Sequence, residues 1–452
     1  MINLLNKESV LKKIKMQSIA SAAKLPIKMI GQVTRVNGMR IEARGLSVPT
    51  GTICKIELTQ LDYVYAEVIG FSNNVVYLMA FDEVVGVKYG SKVIAISTSN
   101  FVPVGVSLLG RIIDAKGNPI DAKGNIEYAD YYSLSGKYIN PLERHRICDP
   151  LDVGIRAING LLTVGKGQRI GIFAGSGVGK SVLLGMMTRF TQADVVIVGL
   201  VGERGREVKE FIDESIGEEG LKKTTVIASP ADTSPLMRAN SALLATTIAE
   251  YFRDQGCDVL LIIDSLTRYA HALREISLSA GEMPAARGFT PTVFAKLSQL
   301  VERTGIGKNG VGSITAFYTV LVDGDENHDP VADHVRSVLD GHIILSRQVA
   351  ESGIYPAIDV EKSISRIMPQ VTSEEQVLLA NQFKQLYGSY QRNKEIINMG
   401  MYQMGSDKKI DEAISKKDLL LHYLTQKMNE SSDLEESIVS LYKIIMENNT
   451  KK

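Results

Sequence analysis

The segment Ala174-Gly-Ser-Gly-Val-Gly-Lys-Ser181, entered from the apolar run Arg169-Ile-Gly-Ile-Phe173, restricts the fold of this chain more than any other. It has the spacing of a P-loop, with Ala174 where the strict pattern carries glycine. Such a loop works only between a strand and a helix. Its glycines let successive backbone N–H groups converge on an anion, and the following helix points its positive end at the same place. Val182, Leu183, Leu184, Met186 and Met187 supply the apolar period of that helix. The residues expected to touch a nucleoside triphosphate are Gly175, Ser176, Gly177, Val178, Gly179, Lys180, Ser181 and Val182. Lys180 brings a positive charge for the β- and γ-phosphates, and the Ser181 hydroxyl is a ligand for Mg²⁺.

A chain of 452 residues has room for two or three domains. Its 51 basic and 51 acidic residues cancel, which argues against a protein whose main work is gripping nucleic acid. Three scattered cysteines, Cys54, Cys148 and Cys257, form neither a disulfide framework nor a zinc site and suit a reducing cytosol. No run approaches the length of a membrane span.

Residues 1–24 read as an amphipathic helix carrying Leu4, Leu11, Ile14 and Ile19. It either packs on its own domain or docks on a partner or an anionic surface. Residues 25–99 change to short strands, at Gly31–Val36, Ile53–Leu58, Val64–Ile69, Val75–Phe81 and Lys92–Ser97, with turns at Asn37-Gly38 and Asn73-Asn74. Five or six strands in so short a stretch suggest a small closed barrel. They lack interleaved aromatics and a basic stripe, so a structural or ring-forming role is preferred to oligonucleotide binding. Residues 100–150 are a Gly-, Pro- and Asp-rich linker into the P-loop domain, which extends to 370. Strands alternate with helices there, at Arg169–Ala174, Asp194–Val201, Thr224–Ser229, Asp258–Asp264, Gly312–Val320 and His342–Leu345. That order implies a parallel sheet covered by helices on both faces. Residues 371–452 read as helical, with segments near 373–398, 408–428 and 432–448.

Two further motifs complete the chemistry. The apolar run Val259-Leu-Leu-Ile-Ile ends in Asp264, which a buried strand delivers to the sheet edge beside the P-loop, where it can hold Mg²⁺ through water. The next residue is Ser265 rather than a glutamate, so the group that handles the attacking water lies elsewhere. The run Val195–Val201 supplies it, ending in Gly202-Glu203-Arg204-Gly205-Arg206-Glu207. Glu203 is placed to polarise a water toward the γ-phosphate, with Arg204 and Glu207 supporting phosphate and the magnesium shell.

These motifs, in this order, resemble the hexameric ATPases related to the head subunits of rotary ATP synthases. The stretch Pro356-Ala-Ile-Asp-Val-Glu-Lys-Ser-Ile-Ser365 matches that superfamily's signature. Within it, Phe173–Met187, Pro230–Arg238 and Gly312–Leu321 are most similar to the flagellar protein-export branch, in which Ala174 is usual. The resemblance implies that Glu203 is the catalytic glutamate, Lys180 the P-loop lysine, and Ser181 and Asp264 the magnesium residues. It also implies that Arg204 and Arg268 lie near the phosphates, that Tyr355 stacks on adenine, and that Arg366 reaches into a neighbouring subunit's site.

The implied protein is a homohexameric Mg-ATPase energising export of unfolded flagellar proteins. The partners implied are a regulator at the N-terminal helix, a stalk-like protein in the central pore, export chaperone–substrate complexes and a membrane export gate. The implied location is the cytoplasm, peripheral to the inner-membrane apparatus. Asp323–Pro330 and Glu282–Phe289 are expected near the ring's centre, with a solvated acidic loop the plain alternative for the first. A virulence-type secretion ATPase is the nearest rival. A ring-shaped nucleic-acid motor would need a base-stacking barrel and a basic channel. A non-catalytic nucleotide-binding ring subunit would lack Glu203.

Overall fold

The computed structural model describes residues 29–59, 62–97, 100–137, 139–322 and 329–446. The expected helix at 1–24 lies outside these residues, as does most of Asp323–Pro330. Within them the chain forms a closed β-barrel, a parallel sheet flanked by helices, and a C-terminal helical bundle.

The barrel has six antiparallel strands: Ile30–Asn37, Arg40–Arg44, Ile53–Glu57, Tyr63–Ser72, Val75–Ala80 and Lys92–Ser97. Alternate residues point inward, so Val33, Ile41, Ala43, Cys54, Ile56, Ala66 and Leu78 fill a dry interior. The second strand, Arg-Ile-Glu-Ala-Arg, is absent from the sequence-based expectation because its outward residues are charged. Its inward residues, Ile41 and Ala43, are fully buried. The expectation that aromatics are missing from the strands also needs correcting. Tyr63 and Tyr65 alternate with buried Val64 and Ala66, and both face outward.

In the sheet the strand order is Ile364–Ser365, Gly341–Leu345, Arg169–Ala174, Ser313–Leu321, Asp258–Asp264, Val195–Val201, Thr224–Ser229, Ile112–Ile113. All neighbours in this order are parallel except the terminal pair involving Ile364–Ser365, and the short strand Gly305–Ile306 adds antiparallel to Ser313–Leu321. Helices on both faces bury the inner strands completely, which is why Val195–Val201 is a continuous apolar run. Asp264 reaches the sheet edge beside the P-loop as expected, although its strand is not the P-loop strand's neighbour. Ser313–Leu321 lies between them, and the strand leading to Glu203 lies beyond. Residues 100–150 are more than a linker: Ile112–Ile113 closes the far edge of the sheet, and Phe101–Val104 pairs with Asp130–Ser133.

The three long C-terminal helices span Glu374–Asn398, Lys408–Leu424 and Leu434–Met446. The second ends four residues before the expected 428, and the chain turns at Thr425, whose backbone is extended. Among the described residues no helix is long and apolar enough to cross a membrane.

Candidate functional site

The P-loop, Asp264 and Glu203 each sit where a strand's C-terminal end breaks into a loop or helix. The P-loop follows Ala174, and Gly177 and Gly179 both adopt positive φ, at 79° and 85°. That backbone suits glycine and lets the N–H groups face one point. The helix Lys180–Phe190 starts directly after it, with Ser181 exposed in its first turn. Asp264 ends its strand at 4% exposure, and Ser265 then caps the helix Leu266–Ala280 by accepting from the Arg268 N–H at 3.2 Å. Gly202, at φ 68°, turns the chain after Val201. This sends Glu203 inward and leaves Arg204 to start a helix facing solvent.

The centre is one lysine between two carboxylates. Lys180 Nζ lies 2.5 Å from Asp264 Oδ1 and 3.7 Å from Glu203 Oε1. Thr319 Oγ1, from the intervening strand, donates to the same Asp264 oxygen at 2.7 Å and orients it. Glu203 Oε1 is buried and makes no hydrogen bond. Burial and the Asp264 carboxylate push the Glu203 carboxyl up to about 7, against the opposing pull of Lys180. Burial disfavours the charge on Lys180, but Asp264 and Glu203 outweigh it and hold the ammonium above its ordinary value. An acid that changes charge near neutrality, aimed at a phosphate-binding loop, suits proton transfer from water.

The donors at this centre are hard oxygens: the Asp264 carboxylate held by Thr319, the Ser181 hydroxyl and the unpartnered Glu203 oxygen. This set fits Mg²⁺, which takes few protein ligands and completes its shell with water and phosphate. Among the described residues no group of three or more His, Cys, Asp or Glu forms a closed metal cage.

The other sequence-predicted residues divide. Tyr355 is brought in: a Cβ built on Gly179 would lie 3.4 Å from its ring. Arg268 is brought in, packing against Gly202 and lowering the Glu203 carboxyl electrostatically. Arg204 is not, because its side chain is 80% exposed and pairs with Glu207 at 3.3 Å. Glu207, 46% exposed at its side chain, also pushes the Glu203 carboxyl up and stands at the rim. Arg366 lies at the other end of the sheet. Its N–H donates to Asp340 O, and Asp340 N–H donates to Arg169 O at the start of the P-loop strand. From Arg169 to Ala174 the strand rises about 17 Å, so exposed Arg366 does not meet Lys180 of its own chain.

A cleft of about 330 Å³ opens beside the loop, bordered by Gly175, Ser176, Val178, Ser346, Arg347 and Lys362. Arg347, Lys362 and Thr319 are residues that sequence reasoning missed. Thr319 lies within Gly312–Leu321 and Lys362 within the Pro356–Ser365 signature, but neither pattern aims the side chain at the site; Arg347 sits in no motif, and the packing of the sheet brings all three here.

Comparison with known proteins follows the same division of the chain. Residues 154–365 match the model of the ATP synthase alpha/beta family, nucleotide-binding domain, and 33–96 the beta-barrel domain of that family. Residues 372–443 match the T3SS EscN ATPase C-terminal domain. The flagellum-specific ATP synthase of Pseudomonas aeruginosa is 52% identical over 437 residues, covering 95% of this chain and 97% of its own length. The assembled ATPase EscN from the enteropathogenic E. coli type III secretion system superposes with a TM-score of 0.85 at 42% identity, over 92% of this chain and all of that one. The same ATPase in complex with its central stalk EscO gives 0.85 at 41% identity, with the same coverage.

Proposed function

The chain belongs to the ATP synthase alpha/beta family, and on that premise we propose that it hydrolyses ATP to energise export of flagellar proteins through a type III apparatus. The observation that carries the catalytic part is the Glu203–Lys180–Asp264 cluster at the mouth of the P-loop, in which Glu203 Oε1 faces Lys180 but accepts no hydrogen bond and so can take one from a water. In this reading the N–H groups of 175–181 cradle the phosphates and Lys180 neutralises the β- and γ-oxygens. Ser181 and Asp264 hold Mg²⁺, partly through water, and Glu207 supports that shell from the rim. The ion supplies charge neutralisation on the transferring phosphoryl group. Glu203 accepts the proton of the attacking water, and Arg268 holds it in place.

Arg366 is far from its own Lys180 and exposed, which supports its use on a neighbouring copy's phosphates. An arginine supplied in trans is worth about 10³–10⁵ in rate, so activity depends on ring assembly. A homohexamer with this site at each interface is the arrangement proposed, with a stalk-like protein in its pore. The regulator at 1–24, the export chaperone–substrate complexes and the membrane gate complete the set of partners, at the cytoplasmic side of the inner membrane.

Flagellar rather than needle-type export is favoured by higher identity to the flagellum-specific relative than to EscN. Complementation tests it. In a Pseudomonas aeruginosa strain lacking its flagellum-specific ATP synthase, this chain restores motility and Glu203→Gln does not. A wild-type chain that hydrolyses Mg-ATP yet leaves the strain non-motile refutes the flagellar assignment. A purified wild-type chain without Mg-ATPase activity refutes the enzyme.

A further inference from the structure

The turn Thr425–Glu430, where the second C-terminal helix stops, is fastened to Tyr355, to Gly154–Arg156 and to the P-loop helix. Gln426 is 3% exposed, and the polar groups of its side chain and its N–H all have partners. Its backbone N–H donates to the Tyr355 carbonyl at 2.8 Å. Its Oε1 accepts from the Arg156 N–H at 2.8 Å. Its Nε2 donates to the carbonyls of Gly154 and Glu430, at 2.8 and 2.7 Å. The P-loop helix reaches the same turn: Arg189 Nη2 donates to Met428 O at 2.6 Å and Nη1 to Asn429 Oδ1 at 3.1 Å. An Arg156–Glu430 ion pair closes the ring of contacts.

Tyr355 itself is 46% exposed, with its ring against Gly179 on one side. A half-exposed ring is aimed mainly by the backbone that carries it, and that backbone is held by Gln426. The phosphate-binding N–H groups of 175–181 make no contact with this turn that the hydrogen-bond network records. The turn therefore meets the Tyr355 backbone directly, and reaches the P-loop helix only at Arg189, nine residues beyond Lys180.

We propose that Gln426 is a positioning residue for base recognition: it fixes the Tyr355 backbone so that the ring stands over Gly179 where a purine can stack, and Arg189 ties the P-loop helix to the same turn. This rests on the reading that Tyr355 faces the base. It also gives the C-terminal bundle a direct mechanical link to nucleotide affinity.

The chain contains no tryptophan, so Tyr355→Trp introduces a lone indole at the site, excited apart from the tyrosines at the red edge of their absorption. ATP quenches it, and inorganic tripolyphosphate, which has no base, binds without that quench. Adding Gln426→Met to this variant weakens ATP about tenfold while tripolyphosphate, followed by displacement calorimetry, stays within about twofold, because a misaimed ring forfeits most of one base-stacking contact. In the Tyr355 background, the same substitution raises KM for ATP by a similar factor and lowers kcat much less. Equal affinity changes for ATP and tripolyphosphate, or none, overturn the proposal. If Gln426→Met loses the tripolyphosphate site altogether, half-buried Arg189→Gln decides by the same ratio, expected to shift about threefold on the same stacking loss. A Tyr355→Trp protein that binds ATP without quenching refutes the base-facing reading itself. Quenching with an unchanged ratio refutes only the role of Gln426.

Discussion

Glu203→Gln separates a catalytic carboxylate from a structural one, because activity and stability move in opposite directions. The glutamate is held at 13% side-chain exposure with one oxygen unpartnered, and its carboxyl rises from 4.5 to about 7. Each pH unit in that interval is worth about 1.4 kcal/mol, so the ionised form is penalised by at most about 3 kcal/mol. Residual solvent access reduces this to about 1–2 kcal/mol. Below pH 4.5 the carboxyl is protonated in both states and there is no penalty. Between 4.5 and 7 the unfolded chain ionises while folded Glu203 keeps its proton, so folding stability falls as pH rises; above 7 the loss is complete. Glutamine removes this loss.

At pH 8 the variant should therefore melt a few degrees higher than the parent, and at pH 4.5 at the same temperature. Its steady-state turnover of Mg-ATP should fall by about 10²–10⁴, with ATP binding retained. Scanning calorimetry at the two pH values and a coupled-enzyme assay measure both quantities. Equal melting temperatures at pH 8 refute the electrostatic account of the site, and near-normal turnover refutes the assignment of Glu203.

Arg366→Ala should bind ATP normally but hydrolyse it about 10³-fold more slowly, and mixing it with Glu203→Gln protein should restore part of the activity. Such rescue requires interfaces that pair an intact Glu203 with a neighbour's intact Arg366, so its absence excludes trans action. Gly179→Ala places a side chain at φ 85° against Tyr355, at a cost of about 1–2 kcal/mol, and should weaken ATP at least about tenfold by equilibrium dialysis. Thr319→Val removes the donor that orients Asp264, and should raise the Mg²⁺ concentration for half-maximal rate by about 10-fold or more, with melting temperature nearly unchanged. In the wild-type protein kcat/KM should rise with pH through about 7, following Glu203, and a flat profile from pH 6 to 8 would count against it.

The positions legible in the sequence share a local cause. A P-loop, an apolar strand ending in Asp264 and a charged turn opening on Glu203 each complete their geometry within about ten residues of chain. Backbone dihedrals and strand–loop–helix order suffice to aim those side chains. Arg40–Arg44 escaped because charged outward residues hid a two-residue inward pattern. Arg204 was misplaced because one positive-φ glycine decides which of two neighbouring side chains turns inward.

What only the tertiary structure decided is which distant pieces meet. Strand order inserts Ser313–Leu321 between the P-loop and Asp264 and so recruits Thr319. The antiparallel end strand carries Arg366 to the end of the sheet opposite its own Lys180. The C-terminal turn brings Gln426 under Tyr355. Sequence patterning records which face of an element is buried, but pairing order and domain contact are long-range choices made by the whole core, and no local periodicity encodes them. The sequence alone thus determined the ligand class and located the P-loop, Asp264 and Glu203 at the ends of their strands. The packed chain determined that Gln426 of the C-terminal turn holds the Tyr355 backbone and that Arg366 lies a strand's length from its own Lys180.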